Sequence, residues 1–135
     1  MICFDTNAAI ALINGNERAK RHVSAAVDAG ENLAVSTIVV FELRYGAEHS
    51  GRKEHNHARV DRFLAGPVDA LMLDVADAAE AGRLREELAS AGAPIGPYDV
   101  LIAGQARRRG ASLATANRRE FDRVPGLTVI DWARD

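Results

Sequence analysis

The sequence predicts an α/β fold, a parallel sheet of five short strands with helices on both faces. Two observations carry that expectation. Short apolar runs alternate with longer stretches of helical periodicity, the order that builds successive βα units. Breakers such as Asn14-Gly15-Asn16, Gly30, Gly66-Pro67 and Pro94-Ile95-Gly96-Pro97 fall between those runs and not inside them.

Taken in order, Ile2 to Phe4 reads as the first strand and Thr6 to Ile13 as a short helix closed by Asn14-Gly15-Asn16. Glu17 to Ala29 is a second helix, with Val23, Ala26 and Val27 on one face and Gly30 as its stop. Leu33 to Val35 is the second strand, after which Ser36 or Thr37 caps a helix running to about Ser50. A polar helix covers Lys53 to Leu64, and the third strand is expected at Leu71 to Val75. Asp77 then opens a helix that sets Ala81, Leu84 and Leu88 at core-facing spacing. Tyr98 to Arg109 is helical, Ser112 to Ala114 is the fourth strand and Leu127 to Ile130 the fifth.

At 135 residues the chain supports one ordinary hydrophobic core, so a single domain over residues 1–135 is expected. Its 47% apolar and 27% charged residues exclude wholesale disorder. A formal charge of -2 gives no global pull toward nucleic acid and leaves only local basic surface for such a role. Two basic clusters exist, Arg52, Lys53, Arg59 and Arg62, and Arg107, Arg108, Arg109, Arg118, Arg119 and Arg123, separated by an acidic stretch from Asp69 to Glu87. Each reads first as a solvated helix face. Cys3 is the only cysteine, which excludes an internal disulfide and a cysteine-rich zinc site. No signal-peptide pattern opens the chain, and no run approaches the roughly 18 apolar residues of a membrane span, so no membrane role and a cytoplasmic location are expected. Gly-rich phosphate loops and a G-x-S-x-G elbow are absent from the sequence.

Open parallel sheets bind ligands beyond the carboxyl ends of their strands. Asp5 follows the first strand directly, Thr115 and Asn117 follow the fourth, and Glu42 and Asp99 lie early on helices. Together they would make a patch of oxygen donors suited to a hard divalent cation such as Mg²⁺ beside a phosphate. Each residue also has a structural alternative. Asp5 and Asp99 stand where a carboxylate caps a helix or meets its dipole. Glu42 shares a largely apolar helix stripe with Ile38, Val39 and Tyr45, where either a cation or a salt bridge to Arg44 or Arg83 would offset its burial. Asn117 serves equally as a neutral ligand, a hydrogen-bond partner or a turn residue.

Over nearly its whole length the chain resembles the PIN-domain ribonucleases. The resemblance lies in Phe4-Asp5-Thr6-Asn7, Ser36-Thr37-Ile38-Val39 leading to Glu42-Leu43-Arg44-Tyr45-Gly46, and Pro94-Ile95-Gly96-Pro97-Tyr98-Asp99 before Leu101-Ile102-Ala103. The tail, Leu113-Ala114-Thr115-Ala116-Asn117-Arg118-Arg119-Glu120-Phe121 and then Val124-Pro125-Gly126-Leu127 and Asp131-Trp132, is similar to the VapC toxins of bacterial type II toxin–antitoxin pairs. The resemblance implies an RNA-cleaving enzyme using Mg²⁺ or Mn²⁺ held by Asp5, Glu42 and Asp99, with Thr6, Thr115 and Asn117 in support. It also implies a small VapB-like antitoxin as partner, and a homodimer or toxin–antitoxin hetero-oligomer. Many relatives carry Asp where this chain has Asn117, so a single cation is the expectation here. A second reading, a weak or inactive PIN-like module that binds RNA or protein, rests on the same substitution.

Overall fold

The computed structural model describes residues 1–132. Five parallel strands, β1 (Ile2–Phe4), β2 (Leu33–Ser36), β3 (Val68–Leu71), β4 (Ser112–Ala114) and β5 (Thr128–Ile130), lie in the order β3-β2-β1-β4-β5. Seven helices occupy the connections among the described residues: α1 (Thr6–Ile13), α2 (Glu17–Asp28), α3 (Thr37–His49), α4 (Lys53–Leu64), α5 (Val75–Ser90), α6 (Pro97–Arg108) and α7 (Arg118–Phe121). Every residue of β1 and β2 is buried. Because successive strand residues point to opposite faces, that pattern requires helices over both.

The strand order fixes where chemistry can sit. Phe4 is in register with Val35 on one side and Ala114 on the other, so the carboxyl ends of β2, β1 and β4 are level. The chain leaves β1 toward β2 and returns later on the opposite side as β4, a switch point that opens a crevice at that edge. Asp5 stands in it, its backbone N–H donating to the Ala114 carbonyl at 3.1 Å.

The third strand differs from the expected one. It spans Val68–Leu71, not Leu71 to Val75, because the chain is drawn out of the sheet at its end. Gln105 Nε2 donates to the Met72 carbonyl at 3.1 Å, and the Leu73 N–H donates to Thr37 Oγ1 at 3.2 Å. Asp74 then caps α5, so this helix begins at Val75 and Asp77 occupies its third position. In that capping box the Asp77 N–H donates to Asp74 Oδ1 and the Asp74 N–H to Asp77 Oδ2. α7 was not expected from the sequence; it is a single turn too short to show helical periodicity.

The acidic stretch and the first three arginines of the second basic cluster prove to be partners. Arg107 pairs with Glu80 and Glu87, while Arg108 and Arg109 pair with Asp74 and Asp77, tying α5 to α6. The two helices also approach closely: a Cβ on Gly104 would lie 2.7 Å from the Ala81 Cα, so glycine is required for this packing.

Candidate active site

Asp5, the N-cap of α1, is 3% exposed with extended backbone geometry. Its Oδ1 accepts the Ala8 N–H at 2.8 Å, and its Oδ2 accepts the Thr115 hydroxyl. Capping thus engages one carboxylate oxygen and the Thr115 hydroxyl the other. Thr115 Oγ1 in turn accepts the Asn117 N–H at 2.8 Å, so β4 and the turn after it brace Asp5.

Glu42 rides on α3 and is half-buried, where its Oε1 accepts the Thr6 hydroxyl at 2.7 Å. Neither arginine considered as its partner reaches it. Arg44 instead binds Asp61 and the His57 carbonyl, and Arg83 binds Glu80. Asp99 occupies the first turn of α6, carried there by the Pro94-Ile95-Gly96-Pro97 loop, with Pro97 at the helix start.

Sequence reasoning missed Glu120. Its Oε1 accepts the Gly96 N–H at 2.8 Å, its Oε2 accepts the Asn117 side-chain amide at 2.6 Å, and its carboxyl hydrogen-bonds that of Asp99. Gly96 sits between the two acids: a Cβ there would come 3.1 Å from Asp99 Oδ2 and 3.7 Å from Glu120 Oε1. Asn117-Arg118-Arg119-Glu120 has the spacing of a helix capping box, which gives this glutamate a structural reading in the sequence. In the structure Asn117 makes no capping bond through its side chain, and the pair serves the acidic cluster. Asn117 itself is an amide donor that fixes a carboxylate, so the fourth negative charge comes from Glu120, three residues beyond the position where it was sought.

The electrostatics of the cluster are one-sided. Burial pushes the Asp5 carboxyl upward, opposed by its bonds from Thr115 and Ala8 and assisted by the charges of Glu42 and Glu120. Asp99 is raised to about 7, by burial first and then by the charge and hydrogen bond of Glu120 and the charges of Glu42 and Asp5. Four carboxylates thus repel one another, and no ion pair to any of them is seen among the described residues.

The donor set fits a hard divalent cation: all its ligating atoms are oxygens, most from carboxylates, and their mutual repulsion is what such an ion relieves. Among the described residues no three His, Cys, Asp or Glu side chains are drawn together into a cage that would grip an ion by direct contact alone. An ion such as Mg²⁺, which keeps several of its waters, suits this looser spacing.

Comparison with known proteins gives this pocket a family. The PIN domain model matches residues 2–127. The tRNA(fMet)-specific endonuclease VapC of Shigella flexneri is 45% identical over 101 residues, covering 75% of this chain and 76% of that protein. Ribonuclease VapC2 of Rickettsia felis is 34% identical over 128 residues, 95% of each chain. The crystal structure of VapBC2 from Rickettsia felis bound to a DNA fragment from their promoter superposes with a TM-score of 0.92 at 33% identity, covering 98% of this chain and 99% of that one. With its five-stranded parallel sheet and acidic crevice, the chain belongs to the PIN-domain family and, within it, to the VapC ribonucleases.

Proposed function

We propose that the protein is the ribonuclease toxin of a type II toxin–antitoxin pair, cleaving RNA phosphodiester bonds at the pocket formed by Asp5, Glu42, Asp99 and Glu120. The observation that carries the reading is the uncompensated acidic cluster at the carboxyl edge of the sheet, where burial and then the neighbouring Glu120, Glu42 and Asp5 raise Asp99 to about 7. Relatives named as VapC nucleases supply the reaction class.

Mg²⁺ or Mn²⁺ is the ion we assign to the pocket, held by Asp5, Asp99 and Glu42 directly or through water. When bound it would activate a water and neutralise charge on the scissile phosphate. The protein's own part is positional. Thr115 and the Ala8 N–H fix Asp5, Thr6 fixes Glu42, and Gly96 and Asn117 fix Glu120 against Asp99. Among the described residues Glu42 accepts one hydrogen bond, from Thr6, and it could act either as a ligand or as the base that takes the water's proton.

For the partner, we assign the groove between α1, α3 and α4 to the helix of a small antitoxin, the toxin working as a homodimer or within a hetero-oligomer. Ile10, Ile13, Leu43, Ala47 and Val60 line this groove, with Asn56 and Arg59 among its polar residues. On α1 and α3, Ile10, Phe41 and Tyr45 are exposed, while Leu12 and Val40 pack against the core. No helix among the described residues is long and apolar enough to cross a membrane, and we place the activity in the cytoplasm.

The test is direct. Purified protein freed of partner cuts RNA in Mg²⁺ or Mn²⁺, stops in chelator, and loses cleavage but not its fold on Asp5→Asn. Chelator-resistant RNA binding with no cleavage of any RNA would instead favour the inactive-module reading.

A further inference from the structure

Asp99 reaches the pocket on the segment Ala93-Pro94-Ile95-Gly96, which joins α5 to α6. Past Ala93, whose N–H donates to the Leu88 carbonyl at 2.9 Å, little local structure holds that segment. Gly96, the N-cap of α6, makes no side-chain capping bond, and Pro97 brings no N–H. Packing beneath it is open: a pocket of about 230 Å³ is lined by Leu88 and Ala89 of α5, Pro94 and Ile95 of the segment, and Val100 of α6. Polar bonds, more than dense packing, therefore set where the segment lies.

Those bonds come from a single turn of chain. Glu120 and Arg123 stand three residues apart in a turn closed by the Arg123 N–H on the Glu120 carbonyl at 3.2 Å, so their side chains share a face. Glu120 Oε1 accepts the Gly96 N–H at 2.8 Å, and Arg123 Nη1 donates to the Pro94 carbonyl at 2.8 Å. An acceptor and a donor thus grip the segment by complementary backbone groups two residues apart. The turn itself is firmly seated: Phe121 and Val124 are buried in the core, and Arg107 of α6 donates to the Pro125 carbonyl at 3.1 Å. No acid pairs with Arg123 among the described residues, so its guanidinium serves the backbone of the segment. Gly96 passes the grip on to the site, since a Cβ there would lie 3.1 Å from Asp99 Oδ2.

We propose that Arg123 is a positioning residue of the active site, the donor half of a clamp that sets the backbone of residues 94–96 and, through it, the Asp99 carboxylate. This rests on the ribonuclease reading of that carboxylate, and the test separates the two. Full-length protein freed of partner is compared with Arg123→Met, which keeps the length and loses the donor, and with Arg123→Lys, which can still donate. Backbone hydrogen exchange in a peptide spanning residues 93–99 quickens roughly 3- to 10-fold in Arg123→Met, about what one solvent-exposed hydrogen bond contributes. Mn²⁺ affinity, read from the electron paramagnetic resonance of the free ion, weakens to a similar extent. Cleavage at sub-saturating Mn²⁺ falls with it through kcat, at unchanged KM for RNA, and recovers when the ion saturates. Arg123→Lys restores most of each loss.

Unchanged exchange and Mn²⁺ affinity in Arg123→Met overturn the clamp and leave the ribonuclease reading standing. A raised KM with a salt slope smaller by about one and exchange unaltered also overturns it, by assigning Arg123 to an RNA phosphate. So does a lower melting temperature with Mn²⁺ affinity intact, the mark of a bond that serves the scaffold alone. If wild-type protein binds no Mn²⁺ and cuts no RNA, the ribonuclease reading fails, and exchange at residues 93–99 still decides whether Arg123 holds them.

Discussion

Asp77 and Asp99 occupy the same local position, the third residue of a helix, on two helices packed against each other, yet their charges meet opposite surroundings. Asp77 is fully buried, which alone would raise its pKa. Bonds from Arg109, Arg108, the Asp74 N–H and Gln105 outweigh that burial and hold the carboxyl well below the usual carboxylate range. Asp99 is less buried, faces three other acids and titrates near neutrality. A carboxylate with cations built in stays charged as part of the scaffold, whereas one whose charged neighbours are all acidic holds its proton up to near neutrality.

The sharpest break of this contrast is Asp99→Asn. Cleavage should fall by more than roughly 100-fold, the upper end of what even an outer-shell ligand mutation costs. In chelator, meanwhile, the variant should melt at the same or a higher temperature than the parent, because a repelled charge has gone. A variant that both cuts normally and melts lower would show that Asp99 is scaffold after all.

Asp77→Ala should do the reverse. Removing the acid leaves Arg108 and Arg109 facing each other at a partly buried site, and breaking such a pair costs about 3 kcal/mol in a urea titration. Cleavage per folded molecule should stay as it was.

Glu120→Gln should lower the Asp99 pKa by removing the nearest negative charge. The acid limb of the cleavage-rate profile should then move to lower pH, with a rate loss of about 10-fold where the outer shell of the ion is disturbed.

The smallest effect is on stability against pH. Asp99 has a folded pKa of about 7 against an unfolded value of 3.8, so the native state holds the extra proton between them. Stability in chelator should therefore fall as pH rises through that window, and saturating Mn²⁺ should flatten the slope. Asp77, with its lowered pKa, contributes in the opposite sense: its stabilisation is present above about pH 4 and is lost as the pH falls below. A melting series from pH 3 to 8, with and without the ion, would separate the two carboxylates.

Much of this contrast was legible in the sequence, and the reasons for the gaps are physical. β1, β2 and β4 were read within a residue of their observed limits because each is a short apolar run between strong turn signals. β3 was misplaced because Leu71, Met72 and Leu73 look more strand-like than Val68-Asp69-Ala70, and only tertiary bonds from Gln105 and Thr37 pull the chain away after Leu71. Asp5, Glu42 and Asp99 were readable as a group because topology delivers strand ends to one edge. Glu120 was not, since its spacing from Asn117 carries the ordinary meaning of a cap. The pairing of Arg107, Arg108 and Arg109 with the acids of α5 was also hidden, because charge blocks separated in sequence do not announce which helix they will face.

Gly104 gives the contact between α5 and α6 a reach beyond packing. It lies five residues along α6 from Asp99, roughly 7.5 Å of helix, and its missing Cβ sets how near the two helices can come. A rigid helix pivots as one body, so a methyl group added at position 104 would swing the far end outward and carry the Asp99 carboxylate with it. The spacing of the acidic pocket is thus gauged partly from outside it, by a hydrogen atom wedged against Ala81.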